Sequence, residues 1–245
     1  MATLARIWRH PVKGVGCETL DGAMLAPDRP LPGDRAYGIL TGDTQDTGDW
    51  QSCRYFARGC YGPALMAVTA ETQADGRITF RHPDRPEITL DPETEGARLV
   101  AWTAAMYPDE RPAPRELVKA PSIGLSDANY PSISILGLAA LDALSLAAGV
   151  PMDPRRFRGN LWLDGLSPFE EFDWVGKRIR IGGAELEVTE RIDRCRATEA
   201  DPETGQRNVN TLAVLRDNFG HVDFGVKARV VTGGQIATGD TVAFA

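Results

Sequence analysis

The chain has 245 residues, 42% hydrophobic and 25% charged, enough to bury a sizeable core in one large domain or two small ones. Its net charge of −7 argues against nucleic acid as the main partner. No apolar run reaches the roughly 18 residues of a helical membrane span, and Met1–Arg9 lacks the apolar core of a signal peptide, so a cytoplasmic location is expected.

The first half reads as short strands and turns. Leu4–Trp8, Ala36–Leu40, Leu65–Thr69, Arg77–Arg81 and Arg98–Trp102 are expected strands. Pro30–Asp34, Thr41–Asp43 and Asp91–Glu95 supply turn residues between them. Pro108–Pro121 is charged, contains Pro108, Pro112, Pro114 and Pro121, and reads as a linker or long surface loop. A division into residues 1–115 and 116–245 is expected there.

In the second half Tyr130–Ile135 is extended and apolar. Leu138–Ala148 is the clearest helix, stopped by Gly149 and Pro151. Asn160–Asp164, Arg178–Ile181 and Ala184–Arg191 read as strands, with Gly182-Gly183 as a hairpin turn. Asn210 is placed to cap a helix that runs to about Asn218 and closes at Gly220. Phe224–Thr232 and Thr241–Phe244 are the final strands. The expected fold is mixed α+β, mainly β: an N-terminal β-barrel-like domain and a C-terminal β-barrel with flanking helices.

Gly14-Val15-Gly16 lacks the third glycine of a dinucleotide loop, since Thr19 stands in its place, and no βαβ pattern follows. There is no GxSxG elbow for a serine triad. His10, His82 and His221 are scattered and read as ordinary surface histidines. Cys17, Cys53, Cys60 and Cys195 include no CxxC pair, and with three histidines they make no zinc pattern. Cys17, Cys53 and Cys60 read as small buried or half-buried residues. Cys53–Cys60, with Trp50, Arg54, Tyr55, Arg58 and Tyr61 around it, is also a weak candidate for a pocket wall. The arginine clusters Arg155, Arg156, Arg158 and Arg191, Arg194, Arg196 suit an anionic ligand or, equally, a solvated charged face.

Arg194-Cys195-Arg196 sets one thiol between two guanidinium groups at a strand end, and neighbouring positive charge lowers a thiol's pKa. Thr198, Asp201 and Asn208 add polar groups to the same loop. From spacing alone, a functional thiol and a buried structural one are about equally placed.

Six segments in order carry a resemblance to a known family. They are Arg9–Gly14, Gly33–Tyr37, Asp127–Pro131, Arg156–Leu161, Pro168–Trp174 and Cys195–Gly205, the last similar to a CxxTTVDPxTG motif. Gly234–Ile236 and Gly239–Val242 resemble the closing strand pair. The set resembles a MOSC domain preceded by a MOSC N-terminal β-barrel domain, as in the mitochondrial amidoxime-reducing enzymes and bacterial relatives.

This resemblance implies a molybdenum cofactor, a pyranopterin with one terminal phosphate, and makes Cys195 the molybdenum ligand. It places Lys13 and Arg35 near the phosphate and Arg158 near the pterin. Asn129, Tyr130, Ser132 and Asn160 would hydrogen-bond around the pterin, and Thr198 and Asp201 would shape the loop beside the metal. The implied activity is reduction of N-hydroxylated or N-oxide substrates as molybdenum cycles between its tetravalent and hexavalent states. Electrons would come from a separate donor protein of ferredoxin, flavin or cytochrome type, and the other partner would be a small-molecule substrate. Gln51–Phe56 departs from the family's QxxP pattern, which puts the substrate class in question. Two alternatives stay open: a cofactor or sulfur carrier without reductase turnover, and a non-catalytic ligand-binding barrel with Cys195 in a structural role.

Overall fold

The computed structural model describes residues 1–245. The first half contains β1 (Thr3–Arg9), β2 (Val12–Lys13), β3 (Glu18–Leu20), β4 (Gly22–Leu25) and β5 (Tyr37–Thr41). β6 (Thr69–Thr72), β7 (Ile78–His82), β8 (Arg85–Leu90), α1 (Gly96–Ala104) and β9 (Pro114–Lys119) follow. The second half contains β10 (Ile133–Gly137), α2 (Leu138–Ala148), β11 (Leu161–Asp164), β12 (Arg178–Ile181) and β13 (Ala184–Asp193). It closes with α3 (Thr211–Phe219), β14 (Asp223–Thr232), β15 (Gly234–Ala237) and β16 (Val242–Phe244). The fold is mixed α+β and mainly β, as the sequence pattern predicts.

Eight strands form one sheet in the order β16-β12-β13-β14-β10-β11-β1-β3. Alternation builds it: Ala184, Leu186 and Val188 of β13 turn inward, while Glu185 and Glu187 are partly exposed. The N-terminal strand β1 pairs antiparallel with β11, so the start of the chain completes a sheet made mostly from its end. Two three-stranded sheets, β2-β5-β9 and β6-β7-β8, organise the rest of the first half around α1.

Neither half closes a barrel through a strand ladder. The ends of the large sheet meet through the single bridge Thr3↔Thr241 and a few backbone bonds, such as Val242 N–H to the Ala2 carbonyl at 2.9 Å. β16 has only three residues, too few to pair along β1. The first half splits instead into its two small sheets, separated by short 3₁₀ turns.

Three expected elements differ. Arg98–Trp102 lies in α1, because Leu99, Val100 and Thr103 bury one helical face rather than alternate. Leu65–Thr69 is mostly a 3₁₀ turn over Pro63–Ala67, started by Pro63, and its strand begins only at Thr69. The stretch Pro108–Pro121 is not wholly a loop: it contains β9, where Pro114 takes the first position of an edge strand and removes no ladder donor. The expected division after residue 115 lies inside β9. The helix stops behave as read: Gly149 and Gly220 are left-handed at φ 70° and 78°, and the Asn210 side chain accepts from the Ala213 amide at 3.0 Å. No helix is long and apolar enough to cross a membrane.

Glu171 is fully buried beneath the start of α2. One carboxyl oxygen accepts the Gly137 amide at 3.3 Å, and the other has no partner. Burial pushes its carboxyl up from an ordinary 4.5 to about 7. A raised carboxyl binds its proton more tightly in the folded state, so this stabilisation is full below about pH 4.5 and is lost as pH rises towards 7. Glu171→Gln keeps the acceptor and removes the charge. Relative to wild type, its denaturant-unfolding free energy should gain about 2–3 kcal/mol between those two pH values. An equal pH slope for both proteins refutes the assignment.

Candidate active site

A cleft of about 340 Å³ opens where the two halves of the chain meet. The first half contributes Lys13, Gly14, Arg35, Cys53, Arg58, Gly59 and Cys60. The second contributes Asp127, Arg156, Phe157, Arg158, the segment Ile192–Cys195, Ala197 and Thr198. This volume falls in the usual range for small-molecule sites.

Close backbone approaches set its walls. Gly14 has φ +78°, and a Cβ there would lie 2.4 Å from the Ala57 carbonyl oxygen and 2.8 Å from the Arg58 Cα. Gly205, at φ +68°, would meet the Ala64 Cα at 2.6 Å. A side chain at Gly59 would lie 3.4 Å from the Ala197 Cβ, so the Cys60 and Cys195 loops are neighbours. Arg35 and Arg158 both adopt left-handed backbone, at φ 49° and 47°, a conformation non-glycine residues hold only when their surroundings enforce it.

Cationic side chains dominate the lining: Lys13, Arg35, Arg58, Arg156, Arg158 and Arg194, against the carboxylates of Asp127 and Asp193. Main-chain oxygens hold several of these cations. Arg158 donates to the Gly16 and Val12 carbonyls at 3.1 and 3.3 Å, and Arg35 donates to the Arg158 carbonyl at 3.0 Å. Arg194 donates to the Phe224 and Phe157 carbonyls at 2.8 and 2.9 Å. Carbonyls orient a guanidinium without neutralising it. Burial draws Arg158 and Arg194 down to about 10, so both stay charged at neutral pH. Lys13 bonds the Leu125 carbonyl at 2.7 Å and Asp127 at 2.5 Å, and burial lowers its pKa too. Arg58 donates to the Cys53 sulfur at 2.8 Å, while its buried Nε has no partner.

The Cys195 loop is tied down from below by Arg156. This buried side chain donates to the Glu199 carbonyl at 3.2 Å, Asn208 at 2.7 Å and Asp201 at 3.2 Å. Thr198 is buried, donates to the Cys195 carbonyl at 3.1 Å and pairs with the Thr211 hydroxyl at 2.5 Å.

The sequence-predicted residues therefore divide into two sets. Lys13, Arg35, Arg158, Cys195 and Thr198 line the cleft. Asp201 lies behind it, accepting from Arg156, from Asn208 at 2.8 Å and from the Glu203 amide at 2.8 Å. Asn160 is a buried strut, accepting from the Ser134 amide at 3.1 Å and donating to the Trp8 carbonyl at 3.1 Å. Ser132 is buried and donates to Ser126 at 3.0 Å. Tyr130 donates to Glu190 at 2.5 Å, and Asn129 is exposed; neither lines the cleft.

The expectation that Arg194 and Arg196 activate Cys195 is not met. Cys195 has extended backbone, and its neighbours' guanidiniums engage the carbonyls named above and Glu199 at 3.0 Å. Instead Cys60 and Cys195 lie on neighbouring loops and act on each other. The Cys195 thiol, with Arg58 and Arg207 nearby, draws the Cys60 thiol down to about 6, while Cys60 and burial push Cys195 up. Sequence reading treated Cys60 as a small half-buried residue. The signal available was its place beside Arg58 in the candidate pocket segment. Arg156, Asp127 and Arg194 were likewise not assigned to the site. His10 is not on the surface: it is buried, its amide donates to Asp34 at 2.7 Å, and burial draws its ring down to about 3. His82 is also buried.

Residues 127–243 match the model of the MOSC domain. This C-terminal segment, just under half of the chain, is similar to that domain. The chain is similar to "Molybdenum cofactor sulfurase" of Caenorhabditis briggsae, 37% identical over 90 residues, which is 34% of this chain and 12% of that protein. The protein of the same name in Caenorhabditis elegans is 38% identical over 76 residues, 30% of this chain and 10% of that protein. The chain thus spans about a tenth of the length of these curated relatives. The solved YuaD protein from Bacillus subtilis aligns over 99% of this chain and 94% of its own, with TM-score 0.47 and 15% identity.

Two measurements check the site. Gly14→Ala should cost about 2–4 kcal/mol of unfolding free energy, since it combines a backbone clash with a left-handed φ; a loss below about 1 kcal/mol rejects this close approach. By thiolate ultraviolet absorbance, the apo-protein should show one thiol titrating well below the others. Cys195→Ala should move it upward by removing the neighbouring thiol, and Cys60→Ala should abolish it.

Proposed function

We propose that the cleft binds a molybdenum cofactor and that the chain is a molybdenum-dependent oxidoreductase reducing N-hydroxylated or N-oxide compounds. The observation that carries this reading is one exposed soft thiol, Cys195, facing a cleft with more cations than carboxylates. The match of residues 127–243 to the MOSC domain and similarity to proteins named molybdenum cofactor sulfurase support the cofactor's identity.

The residues fit such a group chemically. A thiolate suits a metal already held by sulfur, and binding the metal removes its proton. A phosphate needs fixed positive charge, which Lys13, Arg35 and Arg158 offer. The buried, unpartnered Arg58 Nε adds a donor without a protein acceptor. When bound, the cofactor would supply a two-electron metal centre able to remove an oxygen atom from a substrate nitrogen.

This chain's own work is positioning. Arg156 and Thr198 hold the Cys195 loop, and the carbonyl-bound arginines hold a cationic wall that does not reorganise when an anion arrives. Asp127, exposed on the same wall, is paired with Lys13, whose charge holds its carboxyl below the usual carboxylate range. Substrate and a separate electron-donor protein would approach from the open side of the cleft, where Cys195 is exposed.

A second reading is favoured by the sulfurase relatives and by the adjacent Cys60 and Cys195: a cofactor or sulfur carrier without reductase turnover. Protein made in a cofactor-competent host should contain near-stoichiometric molybdenum and reduce an amidoxime with a dithionite-reduced mediator. Cys195→Ser should lose at least tenfold in both metal content and rate. Bound molybdenum without turnover selects the carrier, and absence of molybdenum refutes both readings.

A further inference from the structure

Four cysteines are free in this fold, and two of them, from opposite halves of the chain, meet in one cleft. Cys195 is exposed and Cys60 half-buried, so small oxidants reach both. Their loops are held together by the Gly59–Ala197 approach and by Arg207, which donates to the Cys60 carbonyl at 2.6 Å. Both cysteines line the same wall of the cleft, on loops that touch. Cys53, the third cysteine of the cleft, is instead engaged by Arg58 at 2.8 Å. A reductase or carrier using Cys195 alone has no need of a second sulfur at this position.

We propose that Cys60 and Cys195 form a reversible redox pair that closes to a disulfide when the chain is without cofactor and meets a peroxide. One sulfur attacks a peroxide oxygen and displaces hydroxide, which leaves as water, giving a sulfenic acid. The other thiol then attacks that sulfur, its proton joins the departing hydroxyl, and a second water is released. The sum is two thiols and one hydrogen peroxide giving one disulfide and two waters. The sulfur oxidised first is protected from the irreversible sulfinic stage by its neighbour. A dithiol reductant reverses the step by exchange. On the cofactor reading above, on which this consequence rests, the disulfide withholds the metal-binding sulfur until the cell is reducing again.

The test uses the full-length apo-protein and stoichiometric hydrogen peroxide. Alkylatable cysteines should fall from four to two, the intact mass should drop by two hydrogens, and a peptide map should link Cys60 to Cys195. Dithiothreitol should restore all four thiols. Cys53→Ser should keep the link, whereas Cys60→Ser should instead trap a sulfenic acid at Cys195 that a dimedone probe captures. A link through Cys53, or sulfinic acid without any link, overturns the proposal. Molybdenum uptake from a cofactor-loaded extract is scored separately on the reduced and oxidised proteins. If the link forms but the reduced protein never takes up molybdenum, the redox pair stands and the cofactor reading falls. If the reduced protein loads and no link forms, the reverse holds.

Discussion

Positive charge concentrated in one cleft is the constraint on which the rest of the structure depends. Six cationic side chains line it, and buried charge is tolerated only when hydrogen-bonded. Carboxylates meet that condition for Lys13, Arg35 and Arg156, and main-chain oxygens meet it for Arg158 and Arg194. Arg158 reaches the Val12 and Gly16 carbonyls, and Arg194 reaches those of Phe157 and Phe224. The Arg158 bonds run from the second half of the chain to the first, so the charged cleft also joins the two halves. A carboxylate at those positions would have satisfied the arginines and left nothing for a ligand.

The same requirement explains why parts of the backbone are unusual at this site. Two of the four non-glycine residues with positive φ, Arg35 and Arg158, are cleft residues, linked by the hydrogen bond from one to the other's carbonyl. Gly14 lets the backbone of Ala57 and Arg58 lie directly against it, and Gly205 does the same for Ala64. Strain and close packing place charge where a more relaxed chain would not. The large sheet beneath, completed by β1, gives these loops a rigid base.

The cysteine pair follows from this packing. Cys195 opens a loop anchored by Arg156 and Thr198, and Cys60 sits on a loop anchored by Arg207. With both loops fixed, the thiols line one cleft, and the more acidic sulfur is not the one between two arginines in sequence. Charge acts through space; adjacency along an extended strand points side chains apart.

Periodicity and punctuation made much of the architecture legible. The alternation in β13, the Ala- and Leu-rich α2 with its Gly149 stop and the Asn210 cap are local properties, set by backbone conformation and side-chain spacing. The family motifs likewise marked Cys195, Lys13, Arg35 and Arg158, which share the cleft. Local pattern failed where burial decided: α1 instead of a strand, β9 inside a proline-rich stretch, and His10 in the interior. Sequence by itself determined the elements, their caps and the presence of a basic, thiol-bearing loop. Only the tertiary structure decided that Cys60 meets Cys195, that Arg156 serves the loop, and that Asn160 and Tyr130 are turned to other partners. Those outcomes depend on contacts between distant segments, for which a linear sequence carries no distance.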